Sequence, residues 1–384
     1  MMKLQQVEDI RKEPLMIKRW NFIKTSPSTY PDGILVTGAN SFVGSHVTRL
    51  LHYKWSGRIH LLIRASTTEE AIKKMSKAYA DWELGAFNAE NFSIHLGDVS
   101  LNRMGLSVTE YAGMQQDVGF VLHLAMNPLY HLPYAHFKRL WLPELSRMIS
   151  FCGDKKYPKS LHYPSSYNAN FFREEIDFQQ LNTNAWLSGY AGFKWVANQS
   201  LENAFLQNLN GCLYDIPLVV GSQDNGICPG HYSIWHILDM FLKTGYFIDF
   251  EFKIIPIDVL ADIIVFNLLK DKKGKSDRFI RPVLSESVTH FQFQNTVASI
   301  LGLRHTDKQS LRDACYSKRR FDFMFPERFD KMIEKVNTLQ PILPKRYNEQ
   351  NLPSTPMVFL SNLNKILSQK PELNELAINP ILNK

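Results

Sequence analysis

A tyrosine and a lysine four residues apart are the pair of side chains in this sequence best suited to acid–base chemistry. Tyr190 and Lys194 form the pattern Y-x-x-x-K, and at this spacing two side chains project from one face of a helix. A neighbouring ammonium favours the ionised form of a phenol. The pair therefore predicts a tyrosine that exchanges a proton with a substrate oxygen, supported by the lysine.

A hydroxyl group is predicted to lie close to this pair. Leu161–Tyr163 reads as a strand, and Pro164 leads from its end into Ser165 and Ser166. Either hydroxyl, at a strand end ahead of the Tyr190 helix, is suited to share the substrate oxygen with the phenol. The spacing alone leaves the choice between the two serines open.

A glycine turn near the N-terminus predicts where a dinucleotide binds. The apolar run Ile34–Val36, typical of a strand buried on both faces, leads into the turn, and a helical pattern follows it. Gly38 and Gly44 occupy the first and third positions of G-x-x-G-x-x-G, with Ser41 in the middle. Such a turn directs backbone N–H groups and the helix dipole towards a pyrophosphate. The residues predicted to contact it are Thr37, Gly38, Asn40, Ser41, Phe42, Val43 and Gly44.

The end of the second predicted strand indicates which nicotinamide cofactor is used. Ile59–Ile63 reads as this strand, and Arg64 follows it. In dinucleotide-binding units an acidic residue near this point binds the ribose 2′-OH, whereas an arginine suits a 2′-phosphate. The sequence therefore favours NADP(H), and Lys74, on the next predicted helix, is expected to approach the same phosphate.

Two further strand ends are predicted to contact the cofactor, because ligands of open α/β sheets bind at the carboxyl ends of the strands. Asp98 and Val99 follow the third strand, Phe92–Leu96, and Asp98 is suited to accept a hydrogen bond from the adenine amine. The fourth strand, Gly119–His123, ends in Leu124 and Ala125, which are expected beside the nicotinamide. We interpret His123 as a buried core histidine.

Strands and helices alternate up to about residue 220, which predicts an α/β fold with a Rossmann-like, doubly wound parallel sheet. The last strand of this series is predicted at Leu213–Val220. Helical patterns then predominate at 234–242, 259–269, 291–301 and 329–336, predicting a smaller, mainly helical C-terminal substrate lobe. We divide the chain into an N-terminal extension (1–30), an NADP-binding domain (31–230), a substrate-binding lobe (231–340) and a C-terminal tail (341–384). Whether the lobe interleaves with the first domain is left open.

Composition limits the classes of function. The chain has 384 residues, 45% hydrophobic and 21% charged, as expected of a globular protein. It shows no secretory leader and no apolar run of about 18 residues, so no membrane span is expected. Four cysteines without a CxxC pair predict a reduced, cytoplasmic chain without a metal site. The net charge of +7 suggests an anionic partner, but no basic stripe with interleaved aromatics indicates nucleic acid.

Taken together, these features resemble the extended short-chain dehydrogenases/reductases. More narrowly, the sequence is similar to the thioester reductase family, which includes the terminal reductase domains of nonribosomal peptide and polyketide assembly lines. The resemblance covers Ile34 to Leu301 and is carried by Thr37–Gly44, His60–Ala65, Gly97–Ser100, Met104–Ser107, His162–Ser166, Gly189–Ala197 and Ile255–Asp258.

This resemblance implies NADPH-dependent reduction of an acyl thioester to an aldehyde, with onward reduction to an alcohol left open. The acyl group would arrive on phosphopantetheine, from an acidic carrier protein or from coenzyme A, and the basic segment Arg304–Arg320 would suit an acidic carrier. The family match implies that Ser166 is the strand-end hydroxyl, with Tyr190 and Lys194 as the other catalytic residues.

The sequence departs from the family pattern at three places near the cofactor. Ser41 replaces the middle glycine, Trp141–Leu145 replaces Asn-Val-x-Gly-Thr, and Asp215–Pro217 replaces Arg-Pro-Gly. These departures motivate one alternative, a nucleotide-binding relative that lacks turnover. A second alternative is another extended short-chain dehydrogenase, of the sugar-nucleotide or sterol type.

Overall fold

The central element of the fold is a parallel β-sheet. The computed structural model describes residues 4–126, 132–172, 189–229, 241, 243–248, 254–275, 277–284, 302–317 and 348–352. The described strands are β1 Gly33–Thr37, β2 Ile59–Ile63, β3 Ser93–Leu96, β4 Val118–His123, β5 Ser160–Pro164, β6 Asn210–Tyr214, β7 Leu218–Val220, β8 Tyr246–Phe247, β9 Ile254–Pro256, β10 Phe279–Leu284, β11 Arg304–His305 and β12 Asn348–Leu352. Eight of them form one sheet in the order β12-β10-β6-β5-β4-β1-β2-β3, and all neighbouring pairs are parallel.

Helices cover both faces of this sheet. The described helices are α1 Leu4–Arg11, α2 Phe42–Lys54, α3 Thr68–Asp81, α4 Val108–Asp117, α5 Tyr134–Cys152, α6 Gly189–Leu206, α7 Ile257–Lys272 and α8 Lys308–Ser317. Alternate residues of β1 point to opposite faces: Ile34 and Val36 pack with α2, α3 and α7, whereas Leu35 packs with α5 and α6. The predicted α/β class with a doubly wound parallel sheet is confirmed.

The strand order fixes the position of a ligand crevice. From β1 the chain winds outwards through β2 and β3, then returns to β4 on the other side of β1. In open α/β sheets ligands bind outside the carboxyl ends of the strands at such a switch point. The carboxyl ends of β1 and β4 are therefore the place to look for a site.

The prediction of one continuous strand at Leu213–Val220 is wrong. The structure divides it into β6, in the central sheet, and β7, which pairs with β9 in a separate small sheet. Pro217 cannot donate a backbone hydrogen bond to a sheet. Asp215 is fully buried and accepts two hydrogen bonds of 3.1 Å from the Arg281 guanidinium. The charge at this departure from the family pattern is therefore held in a buried ion pair.

Two segments beyond residue 230 belong to the central sheet. The helix predicted at 259–269 is present as α7, which packs on α2, while β10 and β12 lengthen the sheet beyond β6. The helices predicted at 291–301 and 329–336 lie outside the described residues, as does the one at 234–242 except for Phe241. Within the described part of the chain, no helix is both long enough and apolar enough to cross a membrane.

The N-terminal extension lies against the face of the sheet that carries α5 and α6. Ile10 is almost fully buried in the core on that side. The carbonyl of Lys18 accepts hydrogen bonds from Asn203 Nδ2 (2.7 Å) and Gln207 Nε2 (3.1 Å) near the end of α6. A segment without any sequence motif thus stabilises the helix that carries Tyr190 and Lys194.

Three cysteines are buried as free thiols. Cys152 lies at the end of α5, Cys212 in β6, and Cys228 in the loop after β7. Burial raises the pKa of Cys152 to about 12 and that of Cys212 well above its ordinary value. Because the thiolate is the reactive form, these two thiols are inert in the folded chain.

Candidate functional site

The glycine turn is shaped by very close backbone packing. Gly38 adopts a φ of +71°, and a Cβ there would lie 2.8 Å from the backbone nitrogen of Ala125 at the end of β4. A Cβ on Gly44 would lie 2.1 Å from the Gly38 carbonyl oxygen. Both positions therefore require glycine, because no side chain fits. The turn brings the N-terminus of α2 to the carboxyl ends of β1 and β4, where a helix N-terminus attracts an anion.

Ser41, at the family's middle glycine, acts as the N-cap of α2. Its hydroxyl accepts a hydrogen bond of 3.0 Å from the Gly44 backbone nitrogen, and its φ of −80° is open to any residue. The side chain is therefore turned back onto the helix rather than placed where it would replace a phosphate. Asn40 and Ser41 are exposed at the turn, Val43 is half-buried, and Thr37, Phe42 and Gly44 are buried below it.

Two cations meet at the end of β2. The Arg64 side chain is 85% exposed, and its Nη1 lies 3.7 Å from Asp98 Oδ2 across the end of β3. Lys74 Nζ donates a hydrogen bond of 2.7 Å to the Arg64 carbonyl and lies 2.6 Å from Glu70. The structure thus brings Arg64, Lys74 and Asp98 to the ends of β2 and β3. An exposed guanidinium, with a lysine ammonium bound to the backbone of the same residue, suits a phosphate group.

The loop after β3 explains the spacing of the Gly-Asp and Gly-Leu-Ser motifs. The Asp98 N–H donates to the Met104 carbonyl (2.8 Å), and a Cβ on Gly97 would lie 2.4 Å from that oxygen. Gly105 has a φ of +75°, and Ser107 begins α4 with a capping box. The two motifs fold against each other and present Asp98, with Val99 half-buried beside it.

A row of polar side chains crosses the carboxyl ends of three adjacent strands. We call Thr37 of β1, His123 of β4 and Tyr163 of β5 the polar row. Thr37 Oγ1 lies 2.8 Å from His123 Nδ1 and accepts from the Ala125 N–H at 3.2 Å. The His123 and Tyr163 rings are 5.8 Å apart. His123 is buried, as predicted, and Leu124 and Ala125 are half-buried next to it.

Lys194 reaches this row from α6. The residue is 5% exposed, and its ammonium donates to Tyr163 Oη and to the Pro164 carbonyl, both at 3.2 Å. The same nitrogen lies 5.9 Å from the centre of the buried Tyr190 ring. Burial lowers the pKa of Lys194 to about 7, while the negative charge of Glu144 opposes this shift.

The two serines after β5 have different surroundings. Ser165 is buried, and its hydroxyl donates to Asn198 Oδ1 of α6 at 2.5 Å. Ser166 is half-buried, and its hydroxyl accepts from the Asn168 backbone nitrogen at 3.3 Å. Ser165 therefore fastens the strand end to α6, which leaves Ser166 as the less buried of the two serines.

Two residues at this site were not predicted from the sequence. Tyr163 contacts Lys194, and Glu144 of α5 places its Oε1 2.7 Å from His123 Nε2, although without hydrogen-bond alignment. Glu144 is only 2% exposed on a helix face that also buries Leu142 and Leu145. The sequence signal that could have indicated Glu144 is a single acidic residue on an otherwise apolar helix face. Among the described residues, no cluster of His, Cys, Asp or Glu could hold a metal ion.

Comparison with known proteins identifies the family of this chain. The NAD-binding family described as "Male sterility protein" matches residues 36–264. The chain belongs to this family. The match extends from β1, through the glycine turn and α6, into α7, so every predicted site residue lies inside the Male sterility protein region. The expected similarity to thioester reductase-like proteins is confirmed at the level of the family.

The relatives are much longer proteins. The chain is 26% identical over 242 residues to a linear gramicidin synthase polypeptide of Brevibacillus parabrevis, covering 60% of the chain and 5% of that protein. It is 23% identical over 293 residues to L-2-aminoadipate reductase of Saccharomyces cerevisiae, covering 65% of the chain and 21% of that enzyme. The chain therefore spans about a fifth or less of the length of these relatives.

A solved structure shares the fold over almost its whole length. The terminal R domain from the myxalamid PKS-NRPS biosynthetic pathway superposes with a TM-score of 0.71 at 16% identity, covering 95% of this chain and 97% of that domain. At 16% identity this similarity shows the fold alone, which is a parallel sheet covered by helices.

Proposed function

We propose that this chain is an oxidoreductase that reduces acyl thioesters to aldehydes with NADPH. The observation that carries the proposal is the position of Lys194: its buried ammonium lies at the carboxyl end of β5, close to the Tyr190 ring and beside the strand end that bears Ser166. This arrangement adjoins the glycine turn at the switch point of the sheet, so one crevice would hold the nucleotide beside the proposed acid–base pair.

The proposed chemistry uses the side chains as follows. When bound, NADPH supplies a hydride to the thioester carbon. Tyr190 and Ser166 donate hydrogen bonds to the carbonyl oxygen, which becomes negative as the hydride adds, and this stabilises the charge. The C=O bond then re-forms as the C–S bond breaks, and the departing sulfur takes a proton to become a thiol. Lys194 stabilises negative charge on the Tyr190 phenol and is placed to hold the cofactor ribose.

The residues present fit NADP(H). The glycine turn and the N-terminus of α2 would hold the pyrophosphate through Gly38, Asn40, Ser41, Val43 and neighbouring backbone. Arg64 and Lys74 would bind the 2′-phosphate, because both cations lie at the end of β2 and the guanidinium is exposed. Asp98 and Val99 would contact the adenine, and Leu124 and Ala125 the nicotinamide.

The names of the relatives support the proposed substrate class. Their names identify a gramicidin synthase, an aminoadipate reductase and a terminal R domain of an assembly line. An acyl group on phosphopantetheine, from an acidic carrier protein or coenzyme A, would therefore suit this chain. The described part of the predicted basic segment, residues 304–317, carries acidic residues as well as basic ones, including Asp307 and Asp313.

The test combines a substrate panel with one variant. The chain is mixed with NADPH or NADH and with acyl-CoA or acyl-carrier thioesters, and the loss of reduced-nicotinamide absorbance is followed together with the formation of aldehyde. We expect consumption with NADPH in preference to NADH, with aldehyde formed. Tyr190→Phe should lower kcat by about a hundredfold or more and leave NADPH affinity unchanged.

Three results would contradict the proposal. Tight NADPH binding without turnover of any thioester would favour a nucleotide-binding relative. Turnover of a sugar nucleotide or sterol instead would favour another extended short-chain dehydrogenase. Unchanged turnover in Tyr190→Phe would remove Tyr190 from the reaction.

A further inference from the structure

A buried acid lies behind the polar row. Glu144 projects from α5 towards β4, where its Oε1 lies 2.7 Å from His123 Nε2 and the residue is 2% exposed. Its contact with His123 joins it to Thr37 and to the Ala125 backbone. A carboxylate is expensive to bury, so its presence in an apolar helix face calls for a counter-charge nearby.

The contacts of His123 hold this acid in place. Glu144 Oε1 lies 2.7 Å from His123 Nε2, and on the other side of the ring His123 Nδ1 lies 2.8 Å from Thr37 Oγ1. The Thr37 hydroxyl in turn accepts a hydrogen bond of 3.2 Å from the Ala125 N–H. The glycine-turn end of β1 and the end of β4 thereby position Glu144 through His123.

The positive charge that would offset a Glu144 carboxylate is the ammonium of Lys194. Within the described part of the chain, Tyr163 Oη and the Pro164 carbonyl of β5 accept hydrogen bonds from its ammonium, and the Tyr190 ring of its own helix lies 5.9 Å away. The charge of Glu144 acts on the same ammonium from α5. Among these groups Glu144 is the acid, and Tyr163 is neutral, since burial raises its pKa. A buried ammonium is costly without an anion to offset its lost hydration.

We propose that Glu144, anchored by His123, is a positioning residue that keeps Lys194 protonated and so sets the upper pH limit of the reaction. The family pattern has a glycine where this chain has Glu144, so the device belongs to the departure at Trp141–Leu145. The part of the inference that concerns rate rests on the proposed function. The part that concerns the charge of Lys194 does not.

The charge of Lys194 is measured without any substrate. The full chain is labelled with [6-13C]lysine, and the Lys194 resonance is identified by its loss in Lys194→Met. In the wild type we expect this signal to titrate near pH 7, and in Glu144→Gln at lower pH, because a neutral amide no longer favours the ammonium. Glu144→Asp keeps the charge and should restore part of the shift.

The matched control is a second buried acid–histidine pair. Asp271 of α7 lies 2.9 Å from His162 of β5, and both residues are fully buried. The helix that carries Asp271 packs on the face of the sheet opposite to α6, away from Lys194. Asp271→Asn should therefore lower stability without moving the Lys194 titration.

An unmoved titration in a folded Glu144→Gln chain overturns the inference. If Glu144→Gln does not fold, His123→Gln removes the anchor of the carboxylate instead, and we expect the Lys194 signal to shift in that variant. The same unmoved signal in a folded His123→Gln chain would overturn the inference.

The second readout is the pH profile of thioester reduction. Lysine is charged below its pKa, so activity that needs the ammonium falls as pH rises, and a lower pKa moves this fall to lower pH. For a fall of one unit from a pKa of about 7, the ratio of kcat at pH 8 to kcat at pH 6 should be about fivefold lower in Glu144→Gln than in the wild type. Absence of turnover would contradict the proposed function alone, since the NMR titration would still decide the role of Glu144.

Discussion

Ser165 and Ser166 are neighbours in the chain, yet their hydroxyls have different environments. We expect Ser166→Ala to lower kcat about a hundredfold, the effect of removing one donor to a developing oxyanion, with little change in stability. Ser165→Ala should instead lower the free energy of unfolding by about 1–3 kcal/mol, because Asn198 Oδ1 loses its buried donor. Steady-state kinetics and urea unfolding of the two variants distinguish these effects; a rate loss confined to Ser165→Ala would reverse the assignment.

Ser41 illustrates a departure from a family pattern that the local structure accommodates. As the N-cap of α2 its hydroxyl satisfies the Gly44 N–H. Ser41→Ala should therefore lower the free energy of unfolding by about 1 kcal/mol, whereas Ser41→Gly should cost only a few tenths. Chemical unfolding measures both. Equal losses in the two variants would show that the cap contributes nothing.

At the scale of elements, β2 and β3 carry a pair of histidines away from the site. His60 Nδ1 lies 3.0 Å from His95 Nε2 in a stacked pair, and burial, followed by the charge of His95, lowers the pKa of His60 to about 4. The unfolded chain therefore binds a proton between pH 6.5 and 4 that the folded chain does not. Stability is retained above pH 6.5 and declines as the pH falls.

This pair leads to a prediction for acid stability. Between pH 7 and pH 5, the wild type should lose about 2 kcal/mol more of its free energy of unfolding than His60→Phe, which cannot take up the proton. Denaturant unfolding at the two pH values measures the difference, and the exposed His52→Gln serves as the control. Parallel losses in His60→Phe and the wild type would assign the acid sensitivity to other groups.

Strands of the central sheet could be predicted where the sequence contains an unbroken, mainly apolar run. The runs Ile59–Ile63 and Gly119–His123 are apolar because both faces of their strands are covered, and the strands form there. The ion pair of Asp215 and Arg281 joins residues distant in sequence. The local signs of the break between β6 and β7 were therefore Asp215 and Pro217 within the apolar run. The surroundings of Glu144 likewise depend on how α5 packs with β4 and α6. Residue spacing along one helix carries no information about that packing.

At the scale of the whole molecule, the ion pair of Asp215 and Arg281 links β6 to β10 and, through Asn170, to the turn that follows Ser166. Both charged groups are buried. Arg281→Met alone should cost about 3–5 kcal/mol in the free energy of unfolding, because it leaves an uncompensated buried carboxylate.

The double variant Asp215→Leu/Arg281→Met tests this explanation, because removing both charges removes the desolvation cost as well. We expect it to be more stable than Arg281→Met. Guanidinium unfolding of the two variants gives the comparison. A double variant less stable than the single one would show that packing around the pair matters more than its charge.

The burial of Cys152, Cys212 and Cys228 has a practical consequence for detecting the proposed reaction. Each reductive turnover would liberate one small-molecule sulfhydryl, which a chromogenic disulfide reagent reports as it appears. Because these three side chains are shielded within the native protein, they would contribute little background colour. The same reagent added with urea would then report all four cysteines of the chain, these three and Cys315, so that one dye follows both activity and unfolding.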